Sequence, residues 1–496
     1  MTSYLTEDCI YYILKYLQNY HTTLFNCILV DRFWCRAAIP LLYTDPFVKT
    51  NKNDFSIILT LISCFNKEEI MQLKNQIKFN INNEYKPLFE YPKYLKSYDC
   101  ESVNPTIINW INHLPNPKDE PENICSSFHQ LILNHCVNIE RINININLLI
   151  KSNPKFNIPT SNLTKLNSLT LNNLKYLNQG NGKEFLSNIA VHCLNLKELS
   201  ISSGSRFRII APATMEKLCT IIQKQNNLEE FKVSLSTLNN DNILFLSLEN
   251  QKHSLVSIEF SFINFSNTSF KDFINLCNLN YLKFYRCFDS TDQLDRYEIL
   301  KFASFKLKRL ELRSNIWNKN FEPTIIKTLG SSLQRLTLGR KILIPTIENI
   351  SIYCLKLIEL EVITGFYSNL LICPNFKNLK FSKLNIYDAG SCDNSKIFRS
   401  LANNLSVNVK RIAFRCKCQQ NFRSFLENCH NYLEKITLYH YFEGLEFLKT
   451  ILNYIEKSNN GLRKLNIVGA GSVLNDEELK LLDEIHMKGV KIITKL

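Results

Sequence analysis

"EFLSNIAVHCLNLKELSI", residues 184–201, holds two hydrophobic periods end to end. Phe185, Ile189 and Cys193 recur every four residues, the spacing that lines one face of a helix. From Leu196 the period shortens. Leu196, Leu199 and Ile201 follow the frame apolar-x-x-apolar-x-apolar, whose last two members alternate as a half-buried strand does. One helix feeding one short strand cannot bury its own apolar face. It needs copies of itself stacked alongside.

The copies are present. The frame recurs as "IERINI" (139–144), "LNSLTL" (166–171), "LEEFKV" (228–233), "LVSIEF" (255–260), "LNYLKF" (279–284), "LKRLEL" (307–312) and "LQRLTL" (333–338). It continues as "LIELEV" (357–362), "FKNLKF" (376–381), "VKRIAF" (409–414), "LEKITL" (433–438) and "LRKLNI" (462–467), with successive starts 19 to 33 residues apart. "FKDFINLCNLNYLKF" and "NFRSFLENCHNYLEKITL" repeat the helix-then-strand design, with Cys277 and Cys429 where Cys193 stands above. This pattern resembles leucine-rich repeats. The resemblance implies an α/β solenoid over 126–496, a curved array with parallel strands on its concave face. The family carries Asn or Cys five residues after the middle apolar position, where the side chain bonds to backbone. Cys287 and Asn315 keep that feature, while Gly204, Ser236, Gly365 and Tyr441 do not. Irregular curvature is therefore expected.

The first fifty residues read differently. Thr6 followed by Glu7 and Asp8 is an N-cap with acids in the first turn. Ile10, Ile13, Leu14 and Leu17 then lie on one helix face. "HTTLFNCILV" (21–30) gives a second short helix, and Asp31 caps a third that turns Trp34, Ala38 and Leu41 or Leu42 inward. Three helices in so few residues have little core of their own and ordinarily need a partner. "YLTEDCIYYILKYL" (4–17) with "TLFNCILVDRFWCRAAIPLLYTDPF" (23–47) resembles an F-box, with Thr6 in place of the usual proline. The matching positions are Leu5, Glu7, Ile10, Ile13, Leu14, Leu17, Leu24, Leu29, Val30, Arg32 and Trp34. The resemblance implies that residues 1–47 bind a Skp-type adaptor of a cullin–RING ubiquitin ligase. The expected contacts are Leu5, Ile10, Ile13, Leu14, Leu17, Leu24, Val30 and Trp34. Residues 48–125 read as a helical linker, helical in "IILTLISCFNKEEIMQL" (57–73) and mobile in the loop near 115–122, "PNPKDEPE".

Composition narrows the chemistry. The chain has 496 residues, 45% of them hydrophobic, enough for a large core, and 12 glycines, too few for Gly-rich phosphate loops. Its formal charge is +14, yet residues 1–47 hold four acids against three bases, so the excess lies in the remainder. An acidic partner is expected there. The longest apolar run, "FSIILTLISCF" (55–65), is too short to cross a bilayer, and the acidic N-terminus does not read as a signal peptide. The odd count of 17 cysteines is therefore expected to be reduced, in the cytosol or nucleus.

"CKC" (416–418) with "CH" (429–430) invites a zinc reading, but its cysteines lack the paired C-x₂₋₄-C spacing, and no second pair completes a site. Cys193, Cys277, Cys354, Cys373 and Cys429 precede strands, where small apolar side chains pack well. No Walker, H-E-x-x-H or paired-glycine motif stands out, so neither metal, cofactor nor catalytic site is expected. On the strand face the expected charges are mixed before residue 261 and basic from 279 onward: Lys283, Arg309, Arg313, Arg335, Lys380, Arg411, Arg415, Lys435 and Lys464 against Glu311, Glu359 and Glu361. Tyr281, Lys283, Tyr285, Arg309, Arg313 and Arg335 are the candidate site for an acidic or phosphorylated target segment. The expected function is target recognition for an SCF-type ubiquitin ligase, without catalysis by this chain and without a membrane. The alternative is a basic solenoid that binds RNA or another polyanion.

Overall fold

Thr6 and Asp31 start helices by the same chemistry. In this computed structural model the Thr6 hydroxyl accepts from Cys9 N and Asp31 Oδ1 accepts from Trp34 N at 2.8 Å. Three helices result, Glu7–Tyr16, His21–Ile28 and Arg32–Leu42. They close on Ile10, Leu14, Leu24, Cys27 and Ala38, with Leu17, Trp34, Leu41 and Leu42 packed around this small core. The structure describes residues 6–47, 55–76, 87–114, 121–149, 156–174, 177, 182–204, 210–235, 241–266, 269–289, 291, 295–339, 342–364, 377–388, 395–415, 418–439, 445–469 and 475–495. Leu5, Ser236, Gly365, Cys373, Cys416, Tyr441 and most of the 115–122 loop lie outside them.

Met1–Ser254 and Leu255–Leu496 form two compact units. In the first, parallel strands run at Ser97–Asp99, Arg141–Asn145, Ser168–Asn172, Glu198–Ser202 and Glu230–Ser234. Ser97–Asp99 falls in the stretch read as linker, so the ladder begins one strand earlier than the sequence frames suggest. Its Tyr98 is buried, which a three-residue strand inside a polar context does not advertise.

A repeated backbone fork locks each strand to its predecessor. The residue before the strand and the strand's first residue both donate N–H to one carbonyl. Glu140 and Arg141 donate to Lys96 O, Asn167 and Ser168 to Glu140 O, and Lys197 and Glu198 to Asn167 O. The series starts at Thr44, whose carbonyl receives Lys96 N at 3.0 Å and Ser97 N at 3.2 Å. The chain leaving the third helix therefore occupies the place of a preceding strand, and the helical unit is tied directly to the first rung.

Buried amides finish the corners at which the helices of this unit turn into the next strand. Gln225 Nε2 donates to Cys193 O and Ile221 O, both at 2.8 Å, while its Oε1 accepts from Leu196 N. Gln251 does the same for Ile222 O, Gln225 O and Leu228 N one repeat on. Unpaired carbonyls buried at these corners would each cost about 1–3 kcal/mol.

In the second unit the strands are Ser257–Ser261, Tyr281–Tyr285, Arg309–Arg313, Arg335–Leu338, Glu359–Thr364, Lys383–Asp388, Arg411–Arg415, Lys435–Tyr439, Lys464–Val468 and Lys491–Lys495. All pair in parallel with their neighbours. At the two positions that keep the family residue, Asn315 Nδ2 donates to Phe284 O at 3.2 Å, and Cys287 Sγ lies 3.5 Å from Phe260 O. Two frames are corrected. Leu360 pairs with Leu384, so the working frame is "FSKLNI" (381–386) and not "FKNLKF" (376–381). A final strand at 491–495, absent from the sequence frames, pairs Ile492 with Leu465. Lys380 accordingly lies outside any strand, and Asn385, opposite Glu361, takes the position expected of it.

One buried group makes stability depend on pH. His129 is fully buried, its Nδ1 2.6 Å from Tyr98 Oη, and burial pushes its pKa from 6.5 down to about 3. Below pH 6.5 the unfolded chain takes up a proton that the folded chain refuses until about 3. Stability therefore falls toward acid through that window, by up to ~1.4 kcal/mol per pH unit. Urea unfolding of His129→Gln should lose this share of the acid dependence. An acid limb identical to wild type would refute it.

Candidate interaction surfaces

The helical unit shows which of its expected adaptor contacts are available. Ile10, Leu14 and Leu24 are 7%, 0% and 0% exposed, so they hold the unit together and offer nothing to a partner. This corrects their expected role. Apolar side chains on a core-facing stripe were the natural candidates, but a unit this small spends them on itself. Leu17 and Trp34 pack against that core from its edge. Ile13 and Val30 are exposed, at 38% and 61%. Around them the sequence reading missed Tyr11, Tyr12, Tyr16, Tyr20, Phe25 and Leu29, all exposed. The available signal was a second apolar face, with aromatic residues off the core stripe of the first helix. Exposed apolar surface of this density on one small unit marks an interaction site.

On the ladder, alternation sends Leu282, Phe284, Leu310 and Leu312 into the core and leaves Tyr281, Lys283, Tyr285, Arg309 and Arg313 on the other face. The structure brings these expected target-binding residues together, with in-register pairs Tyr281↔Arg309 and Arg309↔Arg335. It also supplies them with carboxylates of this chain. Glu311, 2% exposed, bonds Arg309 and lies 2.8 Å from Arg313 Nε. Arg313 Nη2 reaches Glu361 at 3.0 Å, and Arg335 lies 3.6 Å from Glu359. Lys283 pairs with Glu259 at 2.7 Å. The Tyr281 ring carries the Arg309 guanidinium at 4.7 Å, and Tyr285 carries that of Arg286 at 5.2 Å.

Burial raises the Glu361 pKa, and Arg313 offsets that only in part. Burial acts in the same sense on Glu359, but the hydrogen bond and charge of Lys383 at 2.6 Å hold it below the ordinary carboxylate value. The expected grip on an external anion is thus largely closed on internal ones. Glu311→Gln should cost about 1–3 kcal/mol, because two guanidinium groups lose their carboxylate. Chemical denaturation measures it, and an unchanged midpoint would show that the pairs are incidental.

The thiols behave as packing residues. Burial pushes Cys193 and Cys354 up to about 12 and Cys429 up to about 11. Cys277 differs, being exposed. Among the described residues no three His, Cys, Asp or Glu side chains gather as metal ligands, and no helix is long and apolar enough to cross a membrane.

Stacked helix–strand repeats with parallel in-register ladders make the repeats of both units α/β solenoids. No family model and no curated protein matches the chain. Among solved structures, the crystal structure of the Rad7 and Elc1 complex in yeast is similar to it at 15% identity and a TM-score of 0.35, over 89% of this chain and 94% of that one.

Proposed function

We propose that the chain is a target-recognition subunit of an SCF-type cullin–RING ubiquitin ligase, acting in the cytosol or nucleus. Its N-terminal helices are an F-box that docks on a Skp-type adaptor, and its repeats hold a target protein. The chain carries out no reaction. It raises the effective concentration of the target beside a charged conjugating enzyme. The observation behind this reading is the exposed apolar and aromatic surface of a three-helix unit that Thr44 ties to the first rung of a solenoid. Purified full-length chain should capture a recombinant Skp-type adaptor stoichiometrically on size-exclusion chromatography. Separate elution at micromolar concentrations would refute the reading.

A further inference from the structure

Three turns in the second unit carry side chains that their backbone does not favour. The residue directly after each of three neighbouring strands is left-handed: Phe262 with φ 59°, Arg286 with φ 52° and Ser314 with φ 56°. The ladder holds this conformation in place. Phe262 N donates to Tyr285 O and Arg286 N to Arg313 O, both at 2.9 Å, which fixes each turn against the next strand. At the same place after Ser168–Asn172 the chain uses Asn173, φ 61°, a residue type that tolerates the left-handed region. Phenylalanine and arginine tolerate it poorly and cost stability there. Side chains kept at that cost are expected to do something that asparagine cannot.

Together they build a cation site. The Arg286 guanidinium lies over the Phe262 and Tyr285 rings, 5.7 and 5.2 Å from their centroids, and the two rings meet edge to face at 5.7 Å. Aromatic rings hold a guanidinium by its face and leave its N–H edge for paired bonds to an oxyanion. Arg286 is half-buried, and among the described residues no carboxylate pairs with it. Its neighbours on the open face differ: Lys283 has Glu259, and Arg309 and Arg313 share Glu311. Beyond Arg286 the row of turns continues with small residues, Ser314 and Gly339. A Cβ at Gly339 would lie 2.5 Å from Ser314 N, so no side chain fits there. In this row of turns the guanidinium thus has an aromatic residue on one side and only small residues on the other.

We propose that Arg286 receives one oxyanionic side chain, carboxylate or phosphate, of a target protein segment. The Phe262 and Tyr285 rings hold the cation in place and keep water from its face. Glu259 and Glu311, on the flanking strands, would repel a chain of phosphates, so a single acidic residue suits the site better than RNA, whose backbone gains affinity from many cations at once. The proposal rests on the repeats being the target-holding part, and it moves the contact from the internally paired arginines to the turn beside them.

The test is binding of degenerate peptides, roughly ten residues long, to full-length chain, beside a single-stranded RNA. The central residue is fixed as Glu, Asp, phosphoserine or Gln. The anionic pools should bind at least about fivefold better than the Gln pool. The stronger of the carboxylate and phosphate pools identifies the target's group. Arg286→Asn should abolish the preference while the melting temperature holds or rises, because asparagine accepts the left-handed turn. Arg286→Lys keeps the charge without the planar fork and should retain a reduced preference. Lys327→Gln, the same loss of charge at an exposed helix position, should leave the preference within about twofold of wild type. An equal response to all pools, a preference that survives Arg286→Asn, a fall in that variant's melting temperature, or tighter binding of the RNA through Arg286 would each overturn the proposal. Adaptor capture measured on the same preparations separates the two readings. Its failure with the peptide preference intact faults the adaptor assignment and leaves the Arg286 site standing.

Discussion

Ile13→Asp/Val30→Asp is expected to abolish adaptor capture while the chain unfolds at the wild-type midpoint. Both side chains are exposed in the structure, so the substitutions leave the core of Ile10, Leu14 and Leu24 untouched. Each replaces an apolar contact worth about 1.5–3 kcal/mol when fully buried. Each also forces an unpaired carboxylate into a desolvated interface, at a further few kcal/mol. Together the losses exceed the ~8 kcal/mol of a micromolar complex. Leu14→Ala provides the contrast. Leu14 is fully buried, and its truncation costs about 2–5 kcal/mol within a unit that has little core to spare. Capture should then fail together with helical order, seen as lost protection in hydrogen exchange over residues 7–42. If the double aspartate variant captures adaptor as wild type does, Ile13 and Val30 are not at the interface and the F-box reading fails at its central contact.

Phe284→Ala should be the most damaging single change to the ladder. Phe284 is fully buried, its ring 5.3 Å from Trp317, 5.4 Å from Phe265, 5.7 Å from Phe260 and 6.1 Å from Phe321. Phe→Ala in such a setting costs about 3–5 kcal/mol, because rigid neighbouring rings cannot collapse into the cavity. In a repeat array each strand stands on its neighbours, so the weakened rung should open locally before the rest. Trp317, stacked on Phe321 at 3.8 Å, reports it by fluorescence in a urea titration. Phe302→Ala, at a ring that is 67% exposed, should change the midpoint by less than about 0.5 kcal/mol. Similar losses for the two variants would show that the aromatic cluster contributes no cooperative packing.

Much of this protein was readable without a fold. Residues 184–201 state a helix and a strand because hydrophobic period is a local property, and its recurrence implies stacking. The caps at Thr6 and Asp31 are local as well, set by a side chain and an N–H three residues away. The slip at 376–386 shows the limit of the same reasoning. "FKNLKF" and "FSKLNI" overlap and both satisfy the frame, and only pairing of Leu384 with Leu360 and Ile412 chooses between them.

Strand count, adaptor-facing surface and charge balance all depended on tertiary contacts. Ser97–Asp99 became a strand because Arg141–Asn145 lies beside it. Ile10 and Ile13 look alike in sequence, yet one fills the core and the other faces outward, since two further helices decide which side of the first is covered. Arg313 shows the reason most clearly. Its partner Glu361 is 48 residues away and two strands across. No period in the sequence links a cation to a carboxylate at that distance. Hydrophobic spacing is written along the chain and survives translation into any register. Pairing between strands exists only where the folded ladder sets residues side by side, so the sequence by itself determined the repeat, and the tertiary structure alone decided which of its charges meet across strands.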